Sequence, residues 1–266
     1  MRKLYIIPNA SHIEKSIELA ERYGAGFEYN DFYLPDVLDN SARVDELIDF
    51  YKSLPGDRSE NTLHGAFFDV TVHSSDREIR AISDKRVRQS MDIARRLGVR
   101  AVIFHTNLIA NFKNRAYVDS WVIKNAAYWR VLAADYPDIS IYIENMFDQD
   151  PEPMVALMHE LEDVPGVSAC LDFAHASAFG KDAEKWVRAL LPYVSHLHLN
   201  DNDGISDLHL ALGEGKLDYA PLCRALSESG ARPSVLIETS DISAQAHSIE
   251  YMQKNHIYPF EKEKQE

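Results

Sequence analysis

The sequence is poor in the features that mark secreted and membrane-spanning proteins. It has only two cysteines, Cys170 and Cys223, in 266 residues. That is too few for a disulfide framework, and it favours a reducing compartment. No apolar run approaches the roughly 20 residues that a membrane-spanning helix needs, and the opening MRKLYIIPNA turns polar too soon for a secretory signal. We therefore expect a cytoplasmic protein with no membrane partner.

Positive charge is also scarce. The chain has 28 Lys and Arg against 42 Asp and Glu, a formal net charge of −14. A protein that holds DNA through its phosphates is expected to have a basic surface, so this balance argues against strong nonspecific nucleic-acid binding without excluding a local basic patch. One predicted helix does carry a basic cluster, which we interpret as a solvated face: Arg77, Arg80, Lys85, Arg86 and Arg88. Small polar molecules are the expected partners.

Short apolar runs alternate with longer amphipathic segments along the whole chain. They predict strands at 3–7, 27–29, 61–64, 100–105, 139–144, 167–172, 194–200 and 234–238. They predict helices at 11–23, 43–53, 79–97, 115–135, 152–161, 182–191, 219–229 and 243–255. This repetition, with no glycine-rich phosphate loop after the first strand, favours an α/β protein with a (β/α)8 TIM barrel over a doubly wound open sheet. We expect one domain over residues 1–266, with a frayed tail after about 259.

Ionisable residues end six consecutive predicted strands. They are His64, His105, Glu144, Asp172, His198 and Glu238. Catalytic side chains of a barrel project from the carboxyl ends of its strands. Alternation along the sixth strand supports this direction, because Cys170 and Asp172 share one face while Leu171 points the other way.

Three further candidate ligands follow these strands. His175 comes three residues after Asp172, and Asp207 and His209 lie in the loop after the seventh strand. The full set has five histidines and four carboxylates, and clustered carboxylates repel one another unless cations neutralise them. Nitrogen and oxygen ligands without thiolates suit Zn²⁺, Mn²⁺, Fe²⁺ or Co²⁺. A hydrogen-bonded polar layer without a metal is the alternative, and His64 or His105 could bind substrate instead.

Other residues carry weaker signals. Glu28, at the end of the second strand, could bind a sugar hydroxyl or form a salt bridge, and Phe67 could line the pocket or pack in the core. His196 is expected in the barrel core rather than among the ligands. The remaining histidines are expected on the surface: His12, His73, His159, His247 and His256. Aromatic residues recur at helical spacing in the helix 115–135; they predict packing or a subunit contact, which leaves a homo-oligomer open.

The nine candidate ligands and their surroundings resemble the xylose isomerase-like TIM-barrel superfamily, which joins sugar isomerases and epimerases with endonuclease IV. The matching pieces are His64 in LHGAFFD, His105 in VIFHTN, Glu144 in YIENM, Asp172 and His175 in CLDFAHA, His198 in HLHLND, Asp207 and His209 in DLHLALGEG, and Glu238 in LIETSD. Each motif alone is weak, but nine in the right order on the right strands are strong. The resemblance covers nearly the whole chain.

In the isomerase and epimerase branch, the resemblance implies one divalent ion held by residues matching Glu144, Asp172, His198 and Glu238. The ion, Zn, Mn, Co or Fe, would act as a Lewis acid that stabilises an enediolate of a sugar or sugar phosphate. Glu144 and Glu238 would move the proton as general base and acid, and His175 would contact substrate oxygens.

In the endonuclease IV branch, the resemblance implies that all nine residues hold three zinc ions, which activate water to cleave DNA beside an abasic site. The sequence has a residue matching each of the nine positions. The net charge argues against this branch, and so do the loops after the first two strands, which contain no arginine from Ile6 to Arg22 or from Phe27 to Arg43. The leading hypothesis is therefore the sugar or sugar-phosphate isomerase or epimerase, with one to three ions.

One departure limits the choice of substrate. Ketose 3-epimerases resemble one another in an arginine shortly after the seventh-strand histidine, but between His198 and Arg224 this sequence has only Lys216. Lys216 is then the candidate for a substrate contact there, and the particular sugar stays open. A lyase or dehydratase acting on a polyol or keto-sugar would use the same enediolate chemistry.

Overall fold

The computed structural model describes residues 3–112, 114–180 and 182–261. Eight parallel strands follow one another in chain order around a closed barrel, which confirms the predicted fold. The strands are β1 Leu4–Ile6, β2 Gly26–Tyr29, β3 Thr62–His64, β4 Ala101–His105, β5 Ser140–Glu144, β6 Val167–Asp172, β7 Val194–Leu199 and β8 Ser234–Ile237.

The helices connect these strands as predicted, with two additions. They are α1 Ile13–Tyr23, α2 Pro35–Leu38, α3 Ser41–Ser53, α4 Arg77–Leu97, α5 Arg115–Asp135, α6 Glu152–Glu160, α7 Phe173–Ala178, α8 Ala183–Leu190, α9 Ala220–Ser229 and α10 Ile242–Asn255. The short helices α2 and α7 were not predicted, because segments of four and six residues are too short to show a helical period.

Local sequence explains where these elements lie. Strand β4 is apolar along both faces, with Ala101, Val102 and Ile103 fully buried, as parallel strands covered by helices require. Helix α4 begins two residues earlier than predicted because Asp76 caps it, accepting a hydrogen bond from the backbone N–H of Glu78 at 2.7 Å.

The described chain divides into two compact units. The first contains residues from 1–27, 145–151 and 170–266, and the second contains 28–144 and 152–169. In the first unit, β7 and β8 pair with His198 opposite Leu236. In the second, β4 and β5 pair with His105 opposite Glu144. The expectation of one domain stays a prediction.

The structure bears on several expectations drawn from the sequence. None of the helices in residues 3–112, 114–180 and 182–261 is long and apolar enough to cross a membrane. Both cysteines are free thiols, Cys170 buried and Cys223 half-buried. The predicted fraying of the tail falls largely on residues 262–266, which lie outside the described residues.

Candidate metal centre

Three side chains of the first unit form what we call the strand-end group: Asp172, His198 and Glu238. Asp172 ends β6, His198 is the penultimate residue of β7, and Glu238 follows β8 directly. Their exposures are 0, 0 and 5 %, and one ligand atom from each lies within 4.8 Å of the others. Nδ1 of His198 is 3.2 Å from Oε1 of Glu238. Two carboxylate oxygens and one imidazole nitrogen at this spacing fit a divalent ion.

Two asparagines hold the acidic residues of this group, one through the backbone of Asp172 and the other through carboxylate oxygens. Asn145 exchanges two hydrogen bonds with the backbone of Asp172: its Nδ2 donates to the carbonyl and its Oδ1 accepts from the N–H, both at 2.9 Å. Asn200 directs Nδ2 at Oε2 of Glu238, 3.3 Å away, and at Oδ2 of Asp172, 3.5 Å away. Such partners fix the direction in which a ligand atom points.

Asp172 also begins the short helix α7. Its Oδ1 accepts the backbone N–H of His175 at 2.5 Å, the hydrogen bond of a helix N-cap. The cap sets the first turn of α7 and so positions the His175 ring. Nδ1 of His175 donates to the carbonyl of Asn145 at 2.9 Å, since a carbonyl can only accept. Nε2 is then the ring nitrogen near Asp207, 3.4 Å from Oδ2.

His175, Asp207 and His209 make a second cluster of the first unit, which we call the loop group. One ligand atom from each also lies within 4.8 Å of the others. The side chains of Asp207 and His209 are 28 and 38 % exposed, so this group is much more accessible to solvent than the strand-end group. Nε2 of His209 is 3.0 Å from Oδ1 of Asp207, and its Nδ1 donates to the carbonyl of Glu238 at 2.9 Å.

The electrostatics of the loop group is that of an ion pair. Burial lowers the pKa of His209, but the carboxylates of Glu238 and Asp207 outweigh it and raise that pKa to about 10. Burial raises the pKa of Asp207, but hydrogen bonds from His175 and His209 hold it well below its ordinary value. His209 is therefore a cation and Asp207 an anion at neutral pH.

A buried aspartate organises the loop that carries this group. Asp201, 1 % exposed, accepts backbone N–H groups from Asn202 and Leu217 on Oδ1 and from Gly213 on Oδ2, at 2.9 to 3.1 Å. It also bridges Leu210 through two backbone hydrogen bonds of 2.9 Å. This anchoring holds His209 at φ 48°, a left-handed conformation that side chains rarely adopt. Sequence reasoning missed Asp201, although an Asn-Asp pair after a strand end was a visible signal.

The second unit holds the histidine-pair group: His64, His105 and Glu144. They end β3, β4 and β5 and are 3, 8 and 0 % exposed. Nε2 of His105 is 3.2 Å from both Nε2 of His64 and Oε2 of Glu144, and Nε2 of His64 is 3.5 Å from that oxygen. Nδ1 of His64 donates to the carbonyl of Gly65 at 3.1 Å, so its Nε2 faces the cluster.

Aromatic side chains cover the histidine-pair group. The half-buried Phe67 lies 4.8 Å from the His105 ring and 5.3 Å from the His64 ring, centroid to centroid. Its other neighbours are Tyr33, stacked at 5.0 Å, and the exposed Phe68 at 4.2 Å. Phe67 thus packs against the rings of this group together with Tyr33, which the sequence did not predict, and a role of Phe67 in lining a substrate pocket stays a prediction.

The structure places the other predicted residues elsewhere. Glu28 is buried and accepts the hydroxyl hydrogen bond of Thr62 at 2.7 Å. Lys216 is exposed, and its backbone N–H donates to the carbonyl of Asn202 at 2.8 Å. His196 is fully buried, with Nδ1 2.7 Å from the Ser234 hydroxyl, in keeping with a core histidine. The surface prediction for His73 is wrong: it is only 6 % exposed.

Comparisons with known proteins identify the family. The chain belongs to the xylose isomerase-like TIM barrel family, whose model matches residues 15–255. It is 26% identical over 185 residues to a probable endonuclease 4 of Mycobacterium leprae, covering 65% of this chain and 70% of that protein.

Two solved structures resemble the whole fold. A Thermus thermophilus protein soaked with ZnCl2 has 25% identity and a TM-score of 0.73, over 95% of this chain and 97% of that one. A D-tagatose 3-epimerase-like protein has 21% identity and a TM-score of 0.73, over 95% and 96% of the two chains.

Proposed function

We propose that this chain is a divalent-metal-dependent isomerase or epimerase of sugars or sugar phosphates. The strand-end group carries the proposal, because it brings two buried carboxylates and a buried imidazole within 4.8 Å of one another. Buried carboxylates this close repel unless a cation balances them. The donors suit Zn, Mn, Co or Fe. The fold shared with an epimerase-like protein and with a zinc-soaked structure adds support.

Glu144 is proposed as the fourth ligand of this ion, alongside Asp172, His198 and Glu238. The resemblance to the superfamily assigns the residue matching Glu144 to the same ion. When bound, the ion would supply Lewis acidity to the carbonyl and hydroxyl oxygens of the substrate. The five other candidate ligands allow one to three ions in total.

Glu144 and Glu238 are the proposed proton carriers. One carboxylate removes the proton from the carbon beside the substrate carbonyl, which leaves an enediolate. The other carboxyl group returns a proton, to the opposite face of the same carbon for epimerisation or to the neighbouring carbon for isomerisation. Asn200 positions Glu238 for this step through its 3.3 Å contact with Oε2.

Substrate contacts are proposed for four residues: His175, Glu28, Phe67 and Lys216. The ring of Phe67 offers an apolar face beside His105, suited to the C–H face of a sugar. The role of His175 follows from the superfamily resemblance. The contacts of Glu28 and Lys216, the cytoplasmic location and the oligomeric state stay predictions.

A second candidate function is a zinc phosphodiesterase acting on abasic DNA. The close approach of all three members of the loop group favours it, as does the 26% identity to a probable endonuclease 4. The basic cluster of α4 gives it no support. Lys85 and Arg86 both pair with Asp39, and Arg88 pairs with Asp84 and Asp135, as expected of a solvated face.

Proton exchange separates the two functions. A panel of ketoses and ketose phosphates in D2O should include one whose carbon-bound proton the wild-type protein exchanges, as read by NMR. Glu238→Gln should abolish that exchange. Glu214→Gln, an exposed glutamate of the loop after β7, is the matched control and should retain it. Nicking of abasic duplex DNA without exchange on any sugar would reject the proposal in favour of the nuclease.

A further inference from the structure

A separate cavity of about 190 Å³ lies in the second unit, between the segment after β3 and the first half of α5. Its principal polar and aromatic lining residues are His73, Ser75, Tyr117, Ser120, Trp121 and Lys124. None of them belongs to the strand-end, loop or histidine-pair groups. The four from α5 stand at positions i, i+3, i+4 and i+7 and therefore share one helix face.

His73 is the most informative residue of this cavity. It is 6 % exposed and makes ring contacts with Tyr117 and Trp121, but it has no hydrogen-bond partner in residues 3–112, 114–180 and 182–261. Burial, and then the nearby Lys124, lower its pKa to about 4, so the ring is neutral at pH 7. A neutral imidazole has one ring N–H, which can donate to a molecule in the cavity.

The cavity also offers several hydrogen-bond donors. The indole Nε1 of Trp121 is buried and has no hydrogen-bond partner within the described part of the chain. The serine hydroxyls can also donate hydrogen bonds, and the Lys124 ammonium lies 3.1 Å from Oγ of Ser75. Arg80 does not line the cavity, but its guanidinium donates to the carbonyls of the lining residues Ser74 and Ser75 at 2.7 and 3.0 Å.

Among the described residues that line this cavity, none has an acidic side chain. That absence is informative in a chain with 42 Asp and Glu. A positive, donor-rich cavity without carboxylates attracts an anion. The ammonium, hydroxyl, imidazole and indole donors together exceed the lone pairs of a single carboxylate and match the oxygens of a phosphate group.

We propose that this cavity binds a phosphate group, held by Lys124, the hydroxyls of Ser75 and Ser120, and a ring N–H of His73. The group belongs either to free phosphate or to a small phosphomonoester. The proposal does not depend on the function proposed for the metal centre, since it uses none of those residues.

Calorimetric titration of the full-length protein tests this site. Inorganic phosphate and glycerol 3-phosphate are titrated separately at constant ionic strength, and at least one should bind saturably. Lys124→Gln should weaken that binding at least about tenfold, because it removes a charge-assisted contact. Lys85→Gln is the matched control: this α4 lysine pairs with Asp39, does not line the cavity and should leave binding unchanged.

A second variant guards against an indirect effect of losing the charge. Ser120→Leu fills the cavity without changing charge and should also weaken binding. Tighter binding of glycerol 3-phosphate identifies a phosphomonoester ligand, and tighter binding of inorganic phosphate identifies the free ion. The proposal is overturned if neither probe binds saturably, or if folded Lys124→Gln and Ser120→Leu proteins both bind as the wild type does.

Discussion

The strand-end group and the loop group are built from the same residue types but differ in how they are held. Asp172 and His198 are fully buried at the ends of strands, where the sheet fixes their backbone. Asp207 and His209 keep 28 and 38 % of their side chains exposed in a loop that depends on Asp201. The strand-end group is positioned by the barrel itself, whereas Asp207 and His209 of the loop group depend on a single buried side chain, that of Asp201.

The two groups also differ in charge balance. In the loop group, His209 has its pKa raised to about 10, and its cation neutralises Asp207 without any metal. The strand-end group has two carboxylates and one imidazole, all nearly inaccessible to water. We therefore expect the strand-end group to depend on a bound cation for its charge balance more than the loop group does. This difference explains why a count of nine ligands says little about the number of ions.

The largest predicted effect separates the groups by metal affinity. His198→Ala should weaken divalent-metal binding by at least about a thousandfold, because it removes a ligand, whereas loss of mere orienting partners costs about 10- to 100-fold. His209→Ala should change the affinity of the tightest site by less than about tenfold. Competition with a coloured chelator measures both. Equal losses in the two variants would mean that the groups hold one shared centre.

Removing the loop anchor should cost stability. Asp201→Ala leaves three backbone N–H groups without their acceptor, one in a buried and two in part-buried hydrogen bonds, and we expect a loss of about 3 kcal/mol in the free energy of unfolding. Urea denaturation measures it. Asp203→Ala is the control in the same loop, since Asp203 accepts from Ile205 and Ser206 in a more exposed position, and it should lose less than about 1 kcal/mol. Similar losses would refute the anchoring role of Asp201.

The same loop should be sensitive to volume at Gly215. A Cβ there would lie 2.2 Å from Oδ1 of Asp201 and 2.3 Å from the carbonyl of Asn202. Gly215→Ala should therefore destabilise the protein by about 2 kcal/mol and lower the occupancy of any ion in the loop group. Gly204 has a φ of +80°, but a Cβ added there would have no described atom within 4 Å. For Gly204→Ala we therefore expect only a backbone cost of about 1 kcal/mol. Equal melting temperatures for the two variants would contradict the steric argument.

The smallest predicted effect is a pH dependence of stability that comes from His73. Its pKa is lowered, whereas that of His209 is raised. The pKa of His73 is about 4 in the folded state, against 6.5 as its ordinary value. The unfolded chain therefore binds this proton more readily, and stability present above pH 6.5 is lost as the pH falls toward 4. After allowance for solvent screening, the loss is about 1 kcal/mol.

Denaturation curves of His73→Phe measure this contribution. The variant should lose less stability than the wild type between pH 6.5 and 4. His159→Phe, at an exposed position on α6, is the control and should behave as the wild type does. Parallel pH profiles for wild type and His73→Phe would show that the ring is solvated.

Most of the fold could be predicted from the sequence, because hydrophobic periodicity reports burial directly. The bounds of α5 and the carboxyl end of β4 agree with the prediction. The rule that barrel chemistry lies at the carboxyl ends of strands made the strand-end residues candidate ligands, a role that stays a prediction. The sequence did not predict helices α2 and α7, because each is set by a local turn or cap. The cap by Asp172 became visible only once its hydrogen bond to His175 was known.

The contacts around the candidate site were harder to predict than its ligands. Asp201 acts through backbone N–H groups that lie up to 16 residues away, and Tyr33 reaches Phe67 from another loop. His73 was expected on the surface because a polar residue in a polar segment gives no sign of burial. Such contacts depend on how loops fold back, which periodicity does not record.

Metal content per chain tests the central claim most directly. Protein purified without chelators and analysed by elemental mass spectrometry should contain one tightly bound divalent ion per chain. That ion should remain in His209→Ala and be lost from His198→Ala. Three zinc ions per chain in the wild type, or an ion retained in His198→Ala, would contradict the account.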